Sequence, residues 1–349
     1  MKPRIEDVAR AIGVSAKTVS RVLNDEPNVS DAMRARVLEG LQGLDYQPNQ
    51  SARSLASHRS FLIALLYDNP SPNYVTEVQN GVLEACDAQR YSMLVRPLSF
   101  EALDFLKQVE SFVLQSRPDG MVLTPPICDY PPLLHLLRKH EMPFACISPK
   151  DPDVADGVSI AMDERSAACA MVHHLVTLGH RCIAHISGPS THGASAWRLA
   201  GYRDGLEQAG LNFDPSLVAA GQFSFDSGVA AAHRLFTHKS RPTAIFAGND
   251  DTAAGVLWAA AENGLRVPDD ISVCGFDDTP LSRQVWPLLT TVSQPSEEMG
   301  RIVTQELLRG IKHKGHKSEK VVMPFALRLR QSTAPPRNSR ARRPNHETR

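Results

Sequence analysis

Long apolar runs are missing from this sequence. The longest, Phe61 to Tyr67, covers seven residues, far short of the ~20 that a membrane-crossing helix needs. Cysteine is sparse and scattered. Cys86, Cys128, Cys146, Cys169, Cys182 and Cys274 form no CxxC pair, which predicts reduced, buried thiols and excludes a disulfide scaffold or a zinc ribbon. The opening residues, MKPRIEDVAR, lack the apolar stretch of a secretory signal, so a cytoplasmic protein with no membrane segment is expected. Missing too are GxSxG, a P-loop and HExxH, and nothing places a nucleophile beside a base. No catalysis, no cofactor and no metal are therefore expected. His313 and His316 share one turn, but two ligands do not make a metal site.

What is present is an ordinary globular composition, 42% hydrophobic and 22% charged over 349 residues. At ~100–200 residues per domain, two or three folded units are expected. The net charge of zero hides an asymmetry. Residues 1–60 carry nine Lys/Arg against seven Asp/Glu, and residues 335–349 carry five Arg against one Glu. The body between them is acidic, which suits polyanion binding at an end rather than in the core.

The first sixty residues predict three short helices. Ile5, Val8, Ala9 and Ile12 recur at helical spacing until Gly13 breaks the pattern. Ser15 is placed to cap a second helix with Val19, Val22 and Leu23 inward, and Ser30 a third with Val37, Leu38, Leu41 and Leu44 on one face. Tyr46-Gln47-Pro48-Asn49 stops it. From Phe61 onward, apolar runs alternate with periodic helices. Strands are expected at Phe61–Leu66, Ser92–Val95, Met121–Thr124, Phe144–Ser148, Ser159–Met162, Cys182–Ser187, Ala244–Ala247, Ser272–Phe276 and Lys320–Leu329. Helices are expected at Val75–Arg90, Leu103–Gln115, Ala167–Leu178, Ala196–Ala209 and Thr252–Asn263. Parallel strands covered on both faces read this way, and so many units predict two doubly wound lobes. The Pro- and Arg-rich tail reads as disordered.

Two short helices around Gly13 form a helix-turn-helix pattern. The hydroxyls of Ser15, Thr18 and Ser20, with the N–H groups at the helix start, suit phosphate oxygens. Lys17 and Arg21 lie four apart on one exposed face, suited to the paired acceptors of guanine in the major groove.

The segments IEDVARAIGVSAKTVSRVLN, VS, DYQPN and ARSLA resemble the signature of the lactose-repressor (LacI/GalR) transcription regulators, and the resemblance extends over nearly the whole chain. It implies a small all-α helix-turn-helix domain joined to an α/β periplasmic-binding-protein-like core of two doubly wound lobes. The implied boundaries are 1–48 for the DNA-binding domain, 49–59 for a hinge helix or linker, 60–334 for an effector-binding and dimerisation domain, and 335–349 for a disordered basic tail. By the same resemblance, Ala16, Lys17 and Arg21 take base-reading positions, while Ser15, Thr18, Ser20, Asn24, Asn28 and Tyr46 lie near phosphate or the groove edge. Arg4 departs from the small hydroxyl residue usual at the first cap. Within residues 49–57, Leu55 is implied to wedge the minor groove, with Arg53 at the phosphates or groove. So short a helix is marginal alone in water, so it would order only when two copies meet on DNA.

In doubly wound lobes, ligands bind where the C-terminal ends of strands face each other. Residues there include Asp68, Asn69, Ser148, Asn249 and Asp277, a set rich in Asp and Asn that suits polyols, whose hydroxyls both donate and accept. The resemblance implies that Arg198, Asn249 and Asp277 hold ligand atoms, with Phe223 as an aromatic platform and Tyr74 and Asp68 in the loop after the first core strand. His192 stands where a purine-binding relative has arginine, which disfavours a purine. Asp163 reads as a helix cap, and His173, His174, His180 and His185 read as structural.

The expectation is a ligand-responsive repressor of carbohydrate uptake or catabolism genes. It binds double-stranded DNA at a pseudo-palindromic operator as a homodimer, and a sugar relieves it. The tail has no leucine heptad, so no tetramer is expected. Three alternatives remain: a corepressor-dependent regulator with a nucleobase, nucleoside or phosphorylated protein partner as effector; a sugar- or nucleoside-processing enzyme fused to a DNA module; and an exported sugar-binding module for transport.

Overall fold

The computed structural model describes residues 3–23, 29–44, 54, 59–151, 158–313 and 320–337. The chain divides into two compact units, Met1–Phe61 and Leu62–Arg349.

The first unit holds α1 (Ile5–Ile12), α2 (Ala16–Leu23) and α3 (Asp31–Gly43) around Val8, Ala9, Val19, Val22, Val37 and Leu41. Arg4 makes no side-chain cap of α1, and Asp7 supplies the reciprocal bond instead, its carboxylate accepting from the Arg4 backbone N–H at 2.8 Å. Gly13 ends α1 in the left-handed region, with φ of 67°. The Arg36 guanidinium on α3 donates to the Ile12 carbonyl at the same end. Ser30 caps α3 as its position predicts, accepting from Met33 N. Leu38 and Leu44, expected on the inward face of α3, are instead 44% and 38% exposed. Three short helices enclose too little volume to cover a four-residue stripe on α3, so Val37 and Leu41 alone reach the centre.

The second unit contains two six-stranded sheets. In chain order the elements are β1 (Leu62–Tyr67), α4 (Pro72–Ala88), β2 (Ser92–Pro97), α5 (Phe105–Ser116), β3 (Gly120–Leu123), α6 (Pro131–Lys139), β4 (Phe144–Ile147) and β5 (Val158–Met162). They continue with α7 (Glu164–Thr177), β6 (Ile183–Ser187), α8 (Gly193–Gln208), β7 (Val218–Ala220), α9 (Phe225–Phe236), β8 (Ala244–Ala247), α10 (Asp250–Glu262), β9 (Ser272–Asp277) and β10 (Thr290–Ser293). The last are α11 (Ser296–Lys312), β11 (Lys320–Met323) and β12 (Ala326–Arg328). One sheet runs β11-β5-β4-β3-β1-β2 and the other β12-β10-β9-β8-β6-β7; all neighbours are parallel except β12 on β10. Both are the doubly wound order, and the central strands are buried throughout.

The chain passes between the lobes three times, at Asp163, at Gln294–Pro295 and at Pro324–Phe325, because α7 packs on the second sheet and α11 on the first. The expected single strand Lys320–Leu329 is thereby two strands in two sheets, with Pro324 at the break where no ladder N–H is available. The apolar runs do not mark β7, whose three residues are too short to stand out, or β10, whose threonines hide it. Helices α4, α7, α8 and α10 begin two or three residues before the periodicity does, since their first turns carry small or polar residues that leave no apolar mark. Residues 335–337, expected in the disordered tail, are ordered against the second lobe, with Arg337 Nη1 2.5 Å from Asp270 Oδ1.

Candidate functional site

Helix α2 is positioned by its own cap. Ser15 Oγ accepts from Thr18 N at 3.1 Å and pairs with Thr18 Oγ1 at 2.9 Å. Val19 and Val22 bury the inner face, which leaves Lys17 and Arg21 exposed one turn apart on the outer one. Thr18 and Ser20 are half-buried, and Ala16 packs its methyl against the three-helix core, away from that face. Asn24, Asn28, Tyr46, Arg53 and Leu55 lie outside the described residues.

In the second unit, the C-terminal ends of the strands converge on a small cavity of about 30 Å³, room for one or two waters. Of the eight residues expected there, Tyr74, Ser148, His192, Arg198, Phe223, Asn249 and Asp277 line it. Asp68 does not; its carboxylate accepts from Phe100 N at 2.7 Å and fixes the neighbouring loop.

Arg198 is the hub. It sits on the buried face of α8, 5% exposed. Its Nε donates to Glu164 Oε2 at 2.6 Å and its Nη1 to the Gly248 carbonyl at 2.5 Å. Nη2 donates to Gln294 Oε1 at 3.2 Å and reaches Asp277 Oδ1 at 3.4 Å, and the guanidinium lies 3.6 Å over the Phe276 ring. Burial opposes its charge, but Glu164 and Asp277 outweigh that and hold its pKa above the ordinary value. Burial drives Asp277 well above the carboxylate range despite Arg198, with Asp250 and Glu164 adding to the rise.

Three lining residues, Ser148, Phe223 and Asp277, have positive φ of 47°, 56° and 110°. Non-glycine backbone strain of this kind is held only where surrounding structure enforces it, and it gathers at ligand sites. The Phe223 ring lies over Gly188 so closely that a Cβ there would come within 2.0 Å of it. Ser148 Oγ and His192 Nε2 are buried without a partner. Burial also keeps the His192 imidazole neutral, its pKa pushed down to about 4. Both atoms belong to residues that line the cavity. Asn249 caps α10 by accepting from Thr252 N at 3.0 Å and donates to the Phe223 carbonyl at 3.1 Å, so capping and cleft position coincide.

Glu164 and Gln294 were not expected. Glu164 reads in sequence as an ordinary first-turn acid beside Asp163, which does cap α7 through Ser166 N at 2.9 Å. Gln294 follows a strand that the sequence conceals. Both stand at lobe crossings, a placement that only topology reveals. The structural histidines are engaged as expected: His180 between Thr243 and Ser272, His185 on the Phe246 carbonyl, His174 on Thr333. Among the described residues no helix is long and apolar enough to cross a membrane.

Residues 4–49 match the model of bacterial regulatory proteins of the lacI family, and residues 172–333 match that of periplasmic binding protein-like domains. The chain is 34% identical to the HTH-type transcriptional regulator DegA of Bacillus subtilis, covering 96% of this chain and 99% of that one. It is 32% identical to the ribose operon repressor of Escherichia coli (88% and 92% covered) and 33% to the transcriptional repressor PurR of Salmonella paratyphi B (95% and 96%). Among solved structures, the lac repressor dimer bound to operator and the anti-inducer ONPF aligns with a TM-score of 0.76 at 28% identity, covering 96% of this chain and 100% of that one. The CelR–cellobiose complex aligns at 0.71 and 28%, covering 95% and 100%.

Proposed function

Because the chain belongs to the lacI family of bacterial regulatory proteins, we propose that it is a cytoplasmic repressor of carbohydrate uptake or catabolism genes, released from its operator by a sugar. It acts as a homodimer on a pseudo-palindrome, each copy supplying one recognition helix. Lys17 and Arg21 read base edges, Ser15, Thr18 and Ser20 contact the backbone, and Leu55 and Arg53 act at the operator centre. The ribose operon repressor and the cellobiose complex support the sugar, and the lac repressor dimer on its operator supports the assembly.

The observation that carries the effector reading is the cleft around Arg198, where strained backbone and orphaned polar atoms meet carboxylates and an aromatic ring. A sugar bound there alters lobe geometry and changes operator affinity only to the extent that it binds the two states unequally. We assign the cleft binding and no bond-breaking chemistry. Similarity to PurR favours one second reading, a nucleobase corepressor; the sign of the ligand's effect on operator affinity separates the two. The test is selection of genomic fragments by the purified full-length protein at moderate salt, then titration with candidate sugars. Enrichment of one palindrome beside sugar genes, released by that sugar, supports the reading; no enrichment with or without pooled ligands rejects it. Light scattering should give a dimer mass, and a tetramer at low concentration would reject that part.

A further inference from the structure

The surplus positive charge of the chain lies at its two ends, and the helix-turn-helix uses only the first. Residues 335–349 hold five Arg against one Glu, while acids outnumber bases between residues 61 and 334. Ser332 and Ala334 bond to Val273 and Ser272 at the start of β9. Pro336 and Arg337 then line a cavity of about 500 Å³ at the N-terminal ends of β6, β8 and β9, the opposite end of that sheet from the cleft. Arg181 and Arg241 line it too. Both are exposed, and neither makes a side-chain hydrogen bond or ion pair among the described residues. The two acids of the cavity are already engaged, Asp270 by Arg266 and Arg337 and Asp269 by Arg266. Lys239 is exposed two residues before Arg241 in the same loop. Arg181, Lys239, Arg241, Arg266 and Arg337 therefore outnumber Asp214, Asp269 and Asp270 at this end of the lobe. Residues 338–349 continue from it with four Arg against one Glu.

We propose that this end of the second lobe, with the tail that leaves it, is a second DNA site that holds the phosphates of a duplex without reading its sequence. Guanidinium forks match phosphate oxygens in pairs, and an unpaired Arg181 and Arg241 have no internal bond to give up. Between residues 338 and 349 the only apolar side chains are Ala341 and Pro344, so charge is what the tail offers. Charge alone suffices for a phosphate backbone, whereas a protein partner needs buried apolar or aromatic anchors. A regulator seated on its operator, as the family membership implies, would thereby hold a second stretch of duplex at the high local concentration that joining two sites confers.

The test is anisotropy of a labelled random-sequence duplex, titrated with full-length protein that carries one operator duplex per dimer, between about 50 and 200 mM salt. The expected result is binding of the second duplex, weakening as salt rises. Arg181→Ala/Arg241→Ala removes two exposed side chains. It should weaken the second duplex about tenfold or more at the lower salt and flatten the salt slope by about 2, near 0.9 per phosphate. A chain ending at Arg337 should lose affinity likewise, while specific operator affinity stays the same in both variants. No second duplex bound overturns the proposal. A second duplex bound equally by all three chains assigns it to the helix-turn-helix and also overturns it. Polyglutamate that displaces the duplex at equal charge concentration overturns it in favour of an acidic polypeptide. Where no operator is found, the random duplex titrated alone still reads the loss in the double variant, so failure of the regulator and failure of this site are separate outcomes.

Discussion

Ser71 and Asp251 join the two lobes directly: Ser71 Oγ donates to Asp251 Oδ2 at 2.5 Å, both side chains buried. Ser71 caps α4 in the first lobe, accepting from Tyr74 N, and Asp251 sits in the first turn of α10 in the second. Asn73 Nδ2 adds a second bond to the same carboxylate at 3.0 Å. The clasp thus ties the helix carrying Tyr74 to the one capped by Asn249, and any opening of the cleft must break it.

Asp251→Ala should therefore loosen lobe closure. With two donors left unpaired, the expected loss is about 1–3 kcal/mol in calorimetric unfolding, together with a larger radius of gyration of the ligand-free protein in solution scattering. An unchanged radius would show that the clasp does not hold the lobes.

Arg198→Ala removes the hub and leaves Glu164 and Asp277 buried without their cation, a change that typically costs about 3–5 kcal/mol. Operator binding, which depends on the other unit, should survive at temperatures where the protein stays folded, while release by sugar is lost. Anisotropy of labelled operator reads both. Sugar release that persists in the variant would reject Arg198 as a ligand contact.

At the DNA end, Arg21→Ala or Lys17→Ala should weaken the specific site by about 1–3 kcal/mol and relax base preference at one position in each half-site. Leu55→Ala should cost specific affinity with sugar binding unchanged. Equal losses on specific and random DNA would assign Arg21 and Lys17 to phosphate instead.

Stability should also depend on pH through Asp250. Burial pushes its pKa up to about 7, against the bonds from Thr291 and Thr279 that favour the charged form. The folded state holds its proton more tightly than the unfolded chain, so this group stabilises at acid pH and its contribution is lost as pH rises through about 7. The difference in unfolding free energy between the native chain and Asp250→Asn should shift in favour of the variant from pH 5 to pH 8. A difference that stays flat would show an ordinary carboxylate.

Most of the fold was legible in the sequence because parallel strands buried on both faces write themselves as apolar runs; β1, β3, β8 and β9 lie where those runs lie. What escaped was written in polar letters. The threonines of β10 are buried because their hydroxyls find Asp250 and Thr333, a condition that no local pattern states. Seven of the eight expected cleft residues line the cavity: strand ends point to Ser148, Asn249 and Asp277, and the family resemblance supplies Tyr74, His192, Arg198 and Phe223. Glu164 and Gln294 join them only because the chain crosses between lobes beside them, a fact of topology over a hundred residues apart.

The three crossings also set an order of assembly. The first lobe lacks its helix α11 and its edge strand β11 until Met323 has been made. A ribosome releasing the chain from its N-terminus therefore exposes five strands of that lobe long before their last neighbour exists. The second lobe's elements from α7 to β10 lie inside this interval, while β12 and residues 330–337, which also pack on that lobe, arrive later. On this geometry each lobe waits for the C-terminal segment: the first keeps an open edge beside β5 until β11 emerges in the final tenth of the protein, and the second an open edge beside β10 until β12 follows it.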